Sequence, residues 1–255
     1  MFTKEALRRL IVPLMIEQLL IVMVGMVDTI MISPCGESAV SGISLVDSIN
    51  ILLTGMFSAL STGGAVVAAQ YIGHKEQQKA CRAANQLLLS VLAVSGVLML
   101  VSLIGNYAIL RIIYRKIEAD VMGNARTYFY LSAVSYPFLA VYSAGTALFR
   151  AMGDSKISMK TSIVMNIINV AGNALLLYVF QLAVFGAALA TLVSRIVAAV
   201  VVTKLLRNQE RLIHLDEKLH LGFYPDMIRR ILRIGIPNGL ESSVFQIGKL
   251  IVAGL

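Results

Sequence analysis

Stretches of about twenty apolar residues recur along this chain, and they constrain its fold more than any other feature. A helix needs about 20 residues to cross the ~30 Å hydrocarbon core of a bilayer. Stretches of that length cover residues 10–32, 42–71, 87–109, 128–149, 157–180 and 183–205, and a seventh begins at 234. Only helices and closed barrels satisfy their backbone in lipid, and the alternation of a barrel strand is absent. The sequence therefore predicts an all-α membrane protein with six complete spans and the start of a seventh.

The composition and the placement of charge agree with this interpretation. Hydrophobic residues make up 58% of the chain and charged residues 14%, against about 25% charged residues in soluble domains. The 22 Lys and Arg exceed the 14 Asp and Glu, and most of them lie near Lys4, Lys75, Arg150 and Lys204, on one side of the predicted spans. By the positive-inside rule, the amino terminus is cytoplasmic. With no Trp and no arginine-rich tract, we expect no nucleic-acid partner.

A polar segment separates the sixth and seventh stretches. It runs from Arg207 to Tyr224, and after Pro225 the apolar residues alternate with basic ones at helical spacing, which is typical of an interfacial amphipathic helix. The predicted organisation is a six-helix transmembrane lobe over 1–206, a cytosolic linker with an amphipathic helix over 207–233, and the first helix of a second lobe over 234–255.

An internal repeat supports a second lobe. The pattern R-x-x-x-P-x-x-x-E opens span one at residues 9–17 and span seven at residues 233–241. With six spans between the copies, both would begin on the same side of the membrane, as in a parallel repeat. We therefore expect this sequence to be the amino-terminal half of a chain with two lobes.

Ionisable residues inside the spans are candidates for function, because a charge at mid-bilayer costs about 2.5–3.5 kcal/mol on insertion scales. The candidates for substrate binding or ion coupling are Glu17, Asp28, Asp47, Arg195 and Glu241; Lys249 also lies in a span. Glu17 and Asp28 are 11 residues apart on one helix face and are predicted to share a cavity. Each acid also has an alternative: a structural partner near the cytosolic end for Glu17, solvation at the interface for Asp28, and a solvated acid at the outer end of its helix for Asp47.

Amides and a hydroxyl extend this set. Asn166, Asn169 and Asn173 follow one another at spacings of three and four on span five, and Thr191 lies on span six. Together with Asp28 they would form an oxygen-rich site for Na+ or a proton. The alternative is that the asparagines are hydrogen-bonding contacts between helices.

The motifs in order resemble those of the bacterial multidrug and toxic compound extrusion (MATE) transporters. They are PLMIEQLL and MVDTIM in span one, AAQYIG, FRAMGDSK, the spaced asparagines, GAALATLVSR and IGIPNGLES. The resemblance implies one half of a twelve-helix, two-lobe transporter in the bacterial inner membrane, which exports amphipathic, often cationic drugs in exchange for Na+ or H+. It further implies a cation site of Asp28, Asn169, Asn173, Thr191 and the Ala187 carbonyl, with Glu241 as the acid of the other lobe. Some members have Asp where this chain has Asn173, which lowers the charge of the site here.

Other functions stay open at this point. A lipid-linked oligosaccharide flippase of the same superfamily would need a cavity rich in cations, and the spans offer only Arg195 and Lys249. A truncated, non-transporting membrane protein is a further alternative. We expect no enzyme and no cofactor beyond the coupling ion, because no phosphate loop, HExxH or GxSxG motif occurs. The expected partners are small-molecule drugs, membrane lipid and the carboxy-terminal lobe.

Overall fold

The computed structural model describes residues 4–114, 117–215, 222 and 224–253, and these are almost entirely helical, with no strand in the described ranges. The α-helices within these ranges are α1 (Lys4–Ile32), α2 (Glu37–Gly73), α3 (Gln77–Ile104), α4 (Asn106–Ile113), α5 (Ala119–Ala151), α6 (Ser155–Asn173), α7 (Ala183–Leu206) and α8 (Pro225–Ala253). A short 3-10 turn, Ser33–Cys35, joins α1 to α2, and a π-helical segment, Ala174–Val179, follows α6.

Six of the helices in the described part of the chain are long and apolar enough to cross a membrane: α1, α2, α3, α5, α6 with its π segment, and α7. The prediction of an all-α membrane fold with six spans is confirmed. The third span ends at Ile104 rather than at the predicted Ile109, and the short α4 begins after Gly105. A glycine weakens a helix by about 1 kcal/mol relative to alanine, which favours a break at this position.

The centre of the bundle is formed by α2 and α5. These two helices pack against each other, α3 contacts both of them, and α7 packs on α5. Glycines allow close approach: Gly64 of α2 faces the Leu87 side chain, and Gly145 of α5 faces Val202 of α7. In lipid, where helices gain little from hydrophobic burial against one another, such small residues favour association through close packing. Helix α1 lies at the edge and packs mainly against α6.

The fifth span changes its helical form after Asn173. The π segment widens the helix, and the connection to α7 then places Gln181 and Ala183 at positive φ angles of 52° and 45°. Gly186, in the first turn of α7, has no side chain and so approaches the backbone of Leu176 in the π segment. The end of the fifth span is therefore held tightly against the start of the sixth.

Helix α8 is one continuous helix from Pro225 to Ala253, with Pro237 inside it. The amphipathic segment and the seventh apolar stretch predicted from the sequence thus belong to one element. Its early turns cross α2, where Gly63 lies against the backbone of Ile231 and Gly235. In the described part of the linker, the Leu215 amide donates to the Leu206 carbonyl at the end of α7 at 2.8 Å.

Candidate functional site

Asp28 of α1 is held by two asparagines of α6. Asn173 Nδ2 donates to Asp28 Oδ1 at 2.7 Å. Asn169 faces Asp28 on one side and Thr191 on the other. The amide orientation that satisfies both neighbours donates to Asp28 Oδ1 at 2.9 Å and accepts from Thr191 Oγ1 at 3.2 Å. The spacing of the asparagines thus places two amides beside one carboxylate.

The first turns of α7 complete this cluster. Thr191 Oγ1 also lies 3.0 Å from the carbonyl oxygen of Ala187, so its single hydroxyl proton is shared between this carbonyl and Asn169 Oδ1. Residues Asp28, Asn169, Asn173, Ala187 and Thr191, which the family resemblance implies as a cation site, therefore lie together in the structure. The amide nitrogens of Asn169 and Asn173, rather than their oxygens, face the carboxylate in this arrangement.

The cluster borders a small cavity of about 70 Å³. Asp28, Asn173, Ala187 and Thr191 line it from α1, α6 and α7. Its other walls come from α2 and α5 and include Ile43, Ser44, Asp47 and Tyr128. Two carboxylates from different helices, Asp28 and Asp47, therefore open on one cavity.

Tyr128 of α5 is a cavity residue that the sequence analysis did not identify. Its side chain is buried, and its hydroxyl lies close enough to Asp47 and Thr191 to interact with both. The position of this tyrosine inside a predicted span could have marked it as a candidate, because a buried hydroxyl needs a polar partner. Nothing in the sequence, however, indicated that it faces α2 and α7 together.

Asn173 lies where the fifth span changes its helical form. It is the last residue of α6 and directly precedes the π segment. π-Helical turns change the direction in which following side chains point and occur often at functional sites. Asn166, about two turns earlier on the same face, is also buried, but it does not line the cavity.

Behind Asp47, a hydrogen-bonded network joins α2 to α5. Asn50 Nδ2 lies 3.3 Å from Asp47 Oδ1 and 3.4 Å from Ser132 Oγ. The Tyr136 hydroxyl donates to Asn50 Oδ1 at 3.0 Å. Because Asn50 and Tyr136 are both buried, this network fixes the side of α2 that carries Asp47.

Arg195 of α7 lies near both acids without pairing with either. Its Nη1 donates to Ser135 Oγ at 2.6 Å. Among the described residues, no ion pair joins Arg195 to Asp28 or Asp47, and Arg195 does not line the cavity. The predicted candidate Arg195 is therefore a neighbour of the cavity on α7.

The prediction that Glu17 shares a cavity with Asp28 is wrong. Glu17 is buried at another depth of α1, where Ser158 Oγ donates to it at 2.8 Å and Arg150 lies 3.5 Å away. Eleven residues return to the same helix face but advance about 16 Å along the axis. The shared face was a correct inference, whereas the shared cavity did not follow from it.

The remaining candidates belong to α8. Glu241 is exposed and does not line the cavity. Lys249 lies outside the residues whose side chains the structure describes. The candidate site is thus formed by α1, α2, α5, α6 and α7.

Comparison with known proteins gives consistent matches. The family model MatE matches residues 13–175. The chain is 28% identical to the "Probable multidrug resistance protein NorM" of Thermotoga maritima, over 99% of this chain and 54% of the relative. It is 24% identical to the "Uncharacterized transporter YisQ" of Bacillus subtilis, over 94% and 53%. The "Multidrug export protein MepA" of Staphylococcus saprophyticus is 23% identical, over 94% and 53%. The chain spans about half the length of the curated relatives it matches.

Solved structures show the same fold. The outward-facing conformation of a multidrug resistance MATE family transporter of the MOP superfamily aligns with a TM-score of 0.89 at 20% identity, over 97% of this chain and 54% of that chain. An inward-facing conformation aligns with a TM-score of 0.82, over 95% and 55%. The fold of this chain thus matches about half of the chain of each of these solved transporters.

Proposed function

This chain belongs to the MatE family, and we propose that it forms the amino-terminal lobe of a secondary transporter that exports amphipathic or cationic compounds in exchange for Na+ or H+. The observation that carries this proposal is the Asp28 cluster. A carboxylate, two amides, a hydroxyl and a backbone carbonyl from three helices meet inside the membrane-spanning bundle. Groups of this kind inside a membrane mark ion pathways, because they are costly there.

The proposed domain organisation follows the sequence boundaries. Residues 1–206 form the lobe, residues 207–233 the linker with the first turns of α8, and residues 234–255 the start of the second lobe. The repeat of the R-x-x-x-P-x-x-x-E pattern supports this division, because Pro13 and Pro237 both lie inside helices that open with basic residues. We further propose that the chain lies in the bacterial inner membrane with its amino terminus in the cytoplasm.

A flippase for lipid-linked oligosaccharides is less well supported. Such a substrate carries pyrophosphate, and its site should present several cations. The cavity is lined by Asp28 and Asp47, whereas Arg195 donates to Ser135 and does not line it. The acidic character of the cavity favours a cation as its ligand.

The test is drug resistance of cells that express a two-lobed protein, in which this chain is continued by the second half of a relative. Asp28→Asn should abolish ion-coupled export, because a neutral amide neither takes up a proton nor offers a negative charge to Na+. Asp120→Asn is the matched control, since Asp120 is exposed at the start of α5, away from the cavity. Both variants should be expressed at the level of the parent protein. Unchanged resistance in the Asp28→Asn cells would refute the proposal.

A second measurement concerns the lobe alone. The 255-residue chain in proteoliposomes should not transport dye, because alternating access in a parallel repeat requires two lobes moving against each other. Transport by this chain would show that one lobe, or a pair of identical lobes, is sufficient.

A further inference from the structure

We propose that Asp47 of α2 is the second acidic ligand of a Na+ site in the cavity that Asp28 lines. This inference rests on the proposed function, since it names an ion and a further residue for the same coupling site. The two aspartates come from different helices, and both line one cavity of about 70 Å³. A cation between them would join α1 to α2.

The volume of this cavity selects the class of ligand. Sites for drug-sized molecules usually measure about 300–1,000 Å³. A water molecule needs about 10–15 Å³ of cavity space. A cavity of about 70 Å³ therefore has room for a small ion with a few waters, and it is too small for an amphipathic drug.

The carboxylate of Asp47 is held in place by its neighbours. Asn50 Nδ2 lies 3.3 Å from Asp47 Oδ1. The hydroxyl of the buried Tyr128, which also lines the cavity, lies close to the Asp47 carboxylate. Asn50 is itself fixed by the Tyr136 hydroxyl at 3.0 Å. Since these partners are buried, Asp47 is directed to the cavity by a rigid network.

The negative charge of the two aspartates favours the binding of a cation. In the described part of the chain, the ion pairs involve Glu76, Glu17 and Asp154, and none involves Asp28 or Asp47. Arg195 is the cation near them, but its Nη1 donates to Ser135 Oγ. Two carboxylates that carry charge without an ion-pair partner are costly inside a membrane, even where amides donate to them. A bound Na+ would offset part of that cost.

Neutral oxygens complete the ligand set. Asn173 lines the cavity and is 1% exposed, and its Oδ1 has no hydrogen-bond partner among the described residues. Ala187 and Thr191 line the same wall. Hard cations prefer carboxylate and carbonyl oxygens. No group of three His, Cys, Asp or Glu that could hold a metal ion occurs in the described residues, so the cavity suits Na+ better than a transition metal.

The experiment measures Na+ binding to the 255-residue chain in detergent. Direct binding of radioactive Na+ is combined with thermal unfolding in increasing NaCl, with choline chloride keeping the ionic strength constant. Na+ should raise the unfolding temperature, because a ligand that binds only the folded state stabilises it. Asp28→Asn should abolish this effect, and a neutral residue at 47 should weaken Na+ affinity about tenfold or more.

Several variants are measured so that the failure of one of them to fold does not leave the role of Asp47 untested. Asp47→Asn and Asp47→Ser are both measured, so that one folded neutral variant is sufficient. Asp47→Glu should retain Na+ binding, which a purely structural role of Asp47 does not predict. Asp120→Asn is the matched control and should bind Na+ like the parent chain.

The results separate this inference from the proposed function. If the parent chain does not bind Na+, the Na+ site is refuted, while H+-coupled export through Asp28 stands. If Asp28→Asn loses Na+ and the neutral Asp47 variants bind it with parental affinity, the role of Asp47 is refuted. If neither Asp28 nor Asp47 affects the binding of Na+, the ion binds elsewhere and a Na+ site in this cavity is refuted, while H+-coupled export through Asp28 stands.

Discussion

Gly63 is where α2 and α8 come close together, and replacing it with alanine tests that crossing. A Cβ atom at this position would lie 2.6 Å from the Ile231 carbonyl oxygen and 2.8 Å from the Gly235 amide nitrogen. Both contacts are to backbone atoms, which cannot rotate away as a side chain can. The alanine therefore has to displace α8 by several tenths of an ångström.

The magnitude follows from two opposing terms. Alanine favours a helix over glycine by about 1 kcal/mol. Overpacking a close contact typically costs about 1–3 kcal/mol. Gly55 of α2 is the matched control, since a Cβ there meets nothing within 4 Å. Gly55→Ala should stabilise the chain by about 1 kcal/mol, and Gly63→Ala should be less stable than Gly55→Ala by about 1–3 kcal/mol.

The assay is thermal unfolding of both variants in the same detergent. For a chain of this size, 1 kcal/mol corresponds to about 2–4 °C, so the two unfolding temperatures should differ by about 2–12 °C. Hydrogen exchange in the first half of α8 should also be faster in Gly63→Ala than in Gly55→Ala. Equal unfolding temperatures and equal exchange would refute the close crossing of α2 and α8.

Two further predictions concern buried polar contacts. Ser158→Ala removes the hydroxyl that donates to the buried Glu17 at 2.8 Å, and it should lower the free energy of unfolding by about 1.5–3 kcal/mol. Ser155→Ala on the same helix should change stability little, because the Ser155 hydroxyl has no partner among the described residues; equal losses would contradict this account. Gln86→Leu removes the side chain whose Oε1 accepts from the Tyr224 amide at 3.2 Å, so exchange of that amide should accelerate in a hydrogen-exchange measurement. An unchanged exchange rate would mean that Gln86 does not hold the start of α8.

The composition of the linker predicts that it connects two apolar segments, but not where it docks. The polar run after Arg207 predicted a connection between apolar segments. The structure adds that its described residues are docked, with Ile213 fully buried and Arg211 3.6 Å from Asp154. Such contacts depend on which loops lie nearby in space. Polarity along one segment does not contain that information.

The repeated R-x-x-x-P-x-x-x-E pattern likewise does not predict which side chains the acid contacts. The same three residue types occur at the same spacing in α1 and α8. Glu17 is nevertheless buried and contacts Ser158 and Arg150, whereas Glu241 is exposed. A local motif predicts a similar helix with a proline inside it. It does not predict the partner of the acid, because that partner comes from another helix.

The sequence by itself determined the six spans and the row of asparagines on the fifth, because hydropathy and helical periodicity are local properties of one segment. The tertiary structure decided that Asp28 contacts Asn169 and Asn173 and shares a cavity with Asp47, and that Glu17 lies elsewhere. Periodicity gives the face of a residue on its own helix. The rotation and depth of that helix against its neighbours come from packing, where close contacts such as Gly63 on Ile231 set which faces meet.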